Sequence, residues 1–158
     1  MKTINKWAAL LIVFALVGFG LMPAAQAQNG RAYRYSDTNM RRLIRRIETS
    51  TDRFSNLLPN ALDRSRLNGT EREDDVNKLV TDFEAATDQL KQRFNRNETT
   101  RMDAQMVLQQ GTLIDRFMRN HQLDYRTERA WTQVRGELDR LAAAYNVAWN
   151  WGVVAQKR

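Results

Sequence analysis

From Ser36 onward the apolar residues recur at helical spacing. In a first segment Met40, Ile47, Phe54 and Ala61 fall seven apart, with Leu43, Ile44, Leu57, Leu58 and Leu62 widening the stripe. A second segment repeats the interval in Val76, Phe83 and Leu90, flanked by Leu79, Val80, Ala86 and Phe94. A third carries Met106 and Leu113 with Val107, Ile114 and Phe117, so Met106 reads as a core residue. A fourth carries Trp131, Leu138 and Tyr145 with Val134, Leu141 and Ala142. Four such stripes without strand-like alternation predict an all-α protein.

The polar punctuation sets the boundaries. Ser36 or Asp37 can cap the first helix, and Asn68-Gly69 closes it, Gly being free to take the left-handed cap conformation. Thr70-Glu71-Arg72-Glu73 reads as a capping box, in which hydroxyl and carboxylate exchange hydrogen bonds with the first-turn backbone. Asn95-Arg96-Asn97 ends the second helix, Thr99 or Thr100 opens the third, Asn120-His121-Gln122 ends it, and Asp124 caps the fourth. The helices predicted are 37–67, 71–95, 100–119 and 125–149. Short connections favour antiparallel neighbours, hence an up-down-up-down four-helix bundle. Pro59 removes a helical hydrogen bond, yet the seven-residue series passes through it in phase, which predicts one long, Pro-kinked first helix.

Ahead of this pattern lies a different one. Lys2 and Lys6 precede an apolar run, Trp7 to Met22, followed by Pro23 and the small-x-small triplet Ala25-Gln26-Ala27. This is the layout of a cleaved secretory signal peptide, and the run is short for a membrane span of roughly 20 residues. The organisation expected is a signal peptide over 1–27, an N-terminal tail over 28–35, the bundle over 36–149 and a C-terminal tail over 150–158. Localisation would be periplasmic or extracellular, with no transmembrane segment after cleavage.

Charge and composition then narrow the chemistry. The net charge of the full chain is +7, and the signal removes two lysines and no acid. Twenty arginines stand against three lysines after residue 27. Arginine forms bidentate pairs with oxyanions and stacks on rings, which points to an anionic envelope polymer or lipid headgroup; export argues against nucleic acid. With no cysteine in the chain, disulfides, thiolate metal sites and covalent haem drop out. The single histidine, His121, falls in a predicted loop, and no Glu-x-x-His pair is present, so no cofactor is assigned. A cofactor or metal carrier with its ligand in the bundle core stays as the alternative function. No glycine-rich phosphate loop and no workable triad is present, so the chain reads as a non-enzyme. The i,i+4 carboxylate pairs Glu84/Asp88 and Glu71/Asp75 sit off the apolar stripe beside arginine or lysine and read as solvated surface charge.

The densest basic feature is Arg41-Arg42-Leu43-Ile44-Arg45-Arg46. An even-numbered up-and-down bundle brings both termini to one end, so these arginines would share that end with Tyr33, Tyr35, Trp149 and Trp151. The binding residues expected are therefore Tyr33, Tyr35, Arg41, Arg42, Arg45, Arg46, Trp149 and Trp151. They would contact an anionic partner, or a protein partner, in an exported binding or scaffolding protein. Two readings of the tryptophans stay open: a plug closing the bundle end, or stacking surface for a partner. Residues two apart on a helix point about 200° apart, so both rings face one side only if the helix has ended.

The stretches Ala32-Tyr33-Arg34-Tyr35-Ser36-Asp37, Leu62-Asp63-Arg64-Ser65-Arg66-Leu67-Asn68-Gly69-Thr70 and Leu138-Asp139-Arg140-Leu141-Ala142-Ala143-Ala144-Tyr145-Asn146-Val147-Ala148-Trp149 resemble a group of uncharacterised secreted helical-bundle proteins of bacteria. The resemblance spans most of the segment after residue 27. It implies a bacterial, exported protein and brings no activity, cofactor or site residue with it.

Overall fold

The computed structural model describes residues 34–152. The expected signal peptide, Tyr33 and the last six residues lie outside that range. Four helices make up the described residues, which contain no strand: α1 (Asp37–Asp63), α2 (Glu71–Asn95), α3 (Arg101–Asn120) and α4 (Tyr125–Tyr145). Each helix packs against two others, α1 with α2 and α4, and α3 with α2 and α4. Paired residues run in opposite register across the contacts. Arg41 meets Asn95 and Ser55 meets Glu84 between α1 and α2, and Thr100 ahead of α3 meets Tyr145 at the end of α4.

The stripes read from the sequence supply the core. Met40, Leu43, Phe54, Val76, Phe83, Leu90, Val107, Ile114, Val134, Leu138 and Tyr145 are all fully buried. Each large apolar side chain so placed contributes about 1.5–3 kcal/mol, the main stabilising term. The side chain of Leu138 in α4 fills the space left by Gly111 in α3, where a Cβ would lie 2.5 Å from Leu138 Cδ1. Met106 departs from expectation, being half exposed beside exposed Met102. The inward face of α3 runs instead through Ala104, Val107, Leu108, Gly111 and Asp115, which leaves 102 and 106 on the outer side.

The helix ends show where local chemistry overrides periodicity. Ser36 caps α1, and Asp124 caps α4 by accepting from the N–H groups of Arg126 and Thr127. α1 stops at Asp63 rather than 67, because the Ser65 hydroxyl donates to the Leu62 carbonyl and accepts from the Leu67 N–H, offering the backbone a non-helical path. The capping box at Thr70 is replaced by another arrangement: the Thr70 hydroxyl donates to the Leu67 carbonyl, and the Glu73 carboxylate accepts from the Gly69 N–H. Gly69 takes φ +71° in that turn. α3 begins one residue after Thr100, whose hydroxyl is engaged by Tyr145. Pro59 sits inside α1.

α4 ends at Tyr145, four residues short of the expected 149. Asn146 adopts the left-handed conformation at φ 52°, its N–H donating to Ala143 O while the Val147 N–H donates to Ala142 O. These are the 5→2 and 6→1 bonds of a Schellman motif. Asn97 closes α2 the same way, at φ 58° with its N–H on Phe94 O and the Glu98 N–H on Arg93 O. Asparagine tolerates this conformation better than other non-glycine residues. Trp149 and Trp151 therefore lie beyond the helix.

Candidate functional site

Arg41, Arg42, Arg45 and Arg46 are all exposed on α1, but their surroundings differ. Arg41 donates to Asn95 Oδ1 at 2.7 Å, and its guanidinium lies 5.4 Å from the centre of the Phe94 ring. Arg42 donates to Asn39 Oδ1. Arg46 turns toward α4, where its Nε lies 3.5 Å from the buried Glu137 carboxylate, which also accepts from Arg140. Arg45 makes no ion pair or hydrogen bond with any described residue.

Arg41 and Arg45, one helical turn apart, form one wall of a groove between α1 and α2. Lys91 and Asn95, also one turn apart, form the other, over a floor of Ile44 and Phe94. The groove measures about 330 Å³, and no carboxylate is among the described residues that line it. Lys91 itself is engaged by Glu48 of α1. That hydrogen bond holds the Lys91 ammonium above its ordinary pKa, so it stays charged. The arrangement offers two guanidiniums without a carboxylate partner, one ammonium already balanced and a side-chain amide. Chemically it can hold an oxyanion.

The two tryptophans do not join this group. Beyond Asn146 the chain turns back along α4. Trp151 sits edge-on to Trp131 at 6.4 Å and to Trp149 at 5.0 Å, and the Arg135 guanidinium lies 4.8 Å from its ring. Its indole N–H donates to Asp139 Oδ1, and its carbonyl accepts from Arg119. Going from Tyr145 back to Arg135 covers about 15 Å of helix, which five or six extended residues match. At the other terminus the Arg34 N–H donates to Ala144 O and its guanidinium to Asn146 Oδ1. Tyr35 is partly exposed.

Three carboxylates outside the pairs weighed in the sequence are buried. Asp103 accepts from Gln89 and Arg93. Asp115, only 1% exposed, accepts from the Trp131 indole N–H at 3.1 Å and lies between Arg119 Nε at 3.3 Å and Arg135 Nε at 3.1 Å. Those two guanidinium contacts bring opposite charges together without hydrogen-bond alignment. Glu137 is the third. The signal was in the spacing: Asp115 falls on the stripe of Leu108, Gly111 and Met118, and Glu137 on that of Val134 and Leu141. Lys91, Phe94 and Asn95 were missed because their part in the groove depends on how α2 lies against α1.

A second groove, about 390 Å³, runs between α2 and α3 over Val76, Leu79, Leu113 and Phe117. His121 stacks on Phe117 at 4.6 Å beside it. Among the described residues no group of three or more histidine or acidic side chains is placed to hold a metal ion, and no helix is long and apolar enough to cross a membrane. No protein-family model matches the chain, and neither a curated protein nor a solved structure does.

Proposed function

We propose that this is an exported, non-enzymatic binding or scaffolding protein of the cell envelope that holds an anionic partner against the basic face of α1. The observation that carries the reading is the groove between α1 and α2, where Arg41 and Arg45 stand with no carboxylate among the described lining residues. Guanidinium groups left without counter-charge favour an anionic visitor, and their attraction is long-ranged at low salt. Export rests on the first 27 residues. The bundle is taken to be up-down-up-down, with α1 bent at Pro59.

In this reading the arginines of α1 supply the charge. Trp149 and Trp151 serve to seat the C-terminal tail instead, and Arg46 serves in part to balance Glu137. The test is binding of residues 28–158 to anionic against neutral lipids and polymers across a salt series. The variant with Arg41, Arg42, Arg45 and Arg46 changed to Gln is run beside it. Salt-sensitive binding that the variant loses while keeping its helicity supports the proposal. Equal binding by both proteins, or none by either, refutes it.

A further inference from the structure

The groove between α1 and α2 suits one kind of anion better than others. Resting on the reading of an anionic partner, we propose that it is a phosphate-monoester site, with Arg41 and Arg45 as the paired guanidiniums and the Asn95 amide as a third donor. Three features converge on this. First, two guanidiniums one turn apart match the two charges of a monoester dianion, whereas a single carboxylate or a phosphodiester would leave one cation unbalanced. Second, the Asn95 carbonyl oxygen is committed to Arg41 at 2.7 Å. That contact fixes the amide orientation and leaves its NH₂, which has no partner among the described residues, as a neutral donor. Third, Ile44 and Phe94 beneath are 3% and 5% exposed. The floor thus presents little apolar area and favours a headgroup-sized ligand over a long hydrocarbon chain.

Geometry also assigns unequal roles. Arg41 is pre-positioned by Asn95 and by the Phe94 ring, so little side-chain freedom is lost when it binds. Arg45 has no hydrogen bond or ion pair to a described residue to give up and swings onto the ligand. It is therefore the cleaner residue to change. Lys91 is spoken for by Glu48 and closes the far side of the groove.

The phosphate could reside on a lipid or on a soluble ester, and the two are separable. The protein is titrated with phenyl phosphate and with benzoate, followed by the arginine side-chain NMR signals, and is then mixed with vesicles containing phosphatidic acid or phosphatidylglycerol. Phenyl phosphate is expected to bind at least about tenfold more tightly than benzoate, and Arg45→Gln to weaken it by about tenfold, the usual effect of losing one charged hydrogen bond. Arg66→Gln, which lies outside the groove, should bind as the parent does. Binding of phenyl phosphate together with preference for phosphatidic acid over phosphatidylglycerol assigns the lipid source; binding of phenyl phosphate alone assigns the soluble one. Benzoate binding as well as phenyl phosphate overturns the phosphate assignment, as does an unaffected Arg45→Gln. If the protein and Arg45→Gln still bind anionic vesicles equally and in a salt-sensitive way, the groove is wrong while the broader anionic reading stands. If no anion binds at all, both fall.

Discussion

Removing the carboxylate of Asp115 is the sharpest perturbation this fold offers. The group is 1% exposed, yet it accepts from the Trp131 indole and faces the positive charges of Arg119 and Arg135. In Asp115→Ala the Trp131 N–H loses its acceptor inside the bundle, at a cost of about 1–3 kcal/mol. Breaking a wholly buried ion pair costs about 3–5 kcal/mol, but the side chains of Arg119 and Arg135 are 48% and 38% exposed. Both can regain water, which reduces the charge contribution to about 1–2 kcal/mol. The sum is about 3 kcal/mol, a large part of the ~5–15 kcal/mol typical of a domain, and a fall in Tm of roughly 10 °C. Asp115→Asn keeps an acceptor for the indole and should cost only about half as much. Urea unfolding of the three proteins by circular dichroism measures both numbers. If Asp115→Ala unfolds within about 0.5 kcal/mol of the parent, or if Ala and Asn are equivalent, the indole bond and the buried charge are not the stabilising terms assigned to them.

Trp151→Ala should cost about 2 kcal/mol, from the lost Arg135 stacking and the edge contacts to Trp131 and Trp149; an unchanged near-ultraviolet dichroism spectrum would show that the tail is not seated. Asn97, left-handed at φ 58°, should lose about 1 kcal/mol on change to Ala and gain about 0.5 kcal/mol on change to Gly, as read by thermal unfolding. The Tyr145 phenol is pushed above its ordinary pKa, chiefly by burial and further by Asp103, against a lowering contribution from the Thr100 hydroxyl. A pKa raised on folding favours the protonated form. Its stabilising effect is complete below the ordinary value near 10 and is lost as pH rises toward and through the folded value. The parent should therefore lose stability relative to Tyr145→Phe over that alkaline window, while Tyr145→Phe costs about 1 kcal/mol at neutral pH through the orphaned Thr100 hydroxyl.

What the sequence disclosed and what it concealed divide along physical lines. The four stripes were legible because burial of Met40, Phe54, Phe83 or Leu138 is a property of periodicity within one helix. Asp124 and Ser36 were legible as caps because capping involves only the next three residues. The end of α4 was concealed: Ala142-Ala143-Ala144 favours helix, and only the turn at Asn146, held by Arg34 and by Arg101 on Tyr145 O, decides against continuing. Asp115 and Glu137 sit on apolar stripes, but their neutralising arginines come partly from other helices, so sequence alone offered no reason to bury them. The basic group on α1 was visible, whereas the sorting of Arg46 toward Glu137 and of Arg45 toward an open groove is set by α4 and α2. The tryptophans were seen to need an explanation. Its answer lay in Arg135, Asp139 and Arg119, none of which carried a distinguishing pattern.

The hydrogen bond from Arg34 to Ala144 has a topological consequence. It brings the start of the described chain to within 2.7 Å of the end of α4, so the helical path nearly closes on itself. Fusing the two points would make a ring, and that ring could be reopened in the exposed turn at Asn68-Gly69, where the backbone bears little of the core. A permuted chain of that kind would retain the four helices while giving up the strap after Tyr145, together with the Asn146 turn that closes α4, separating the work of the bundle from the work of Trp151.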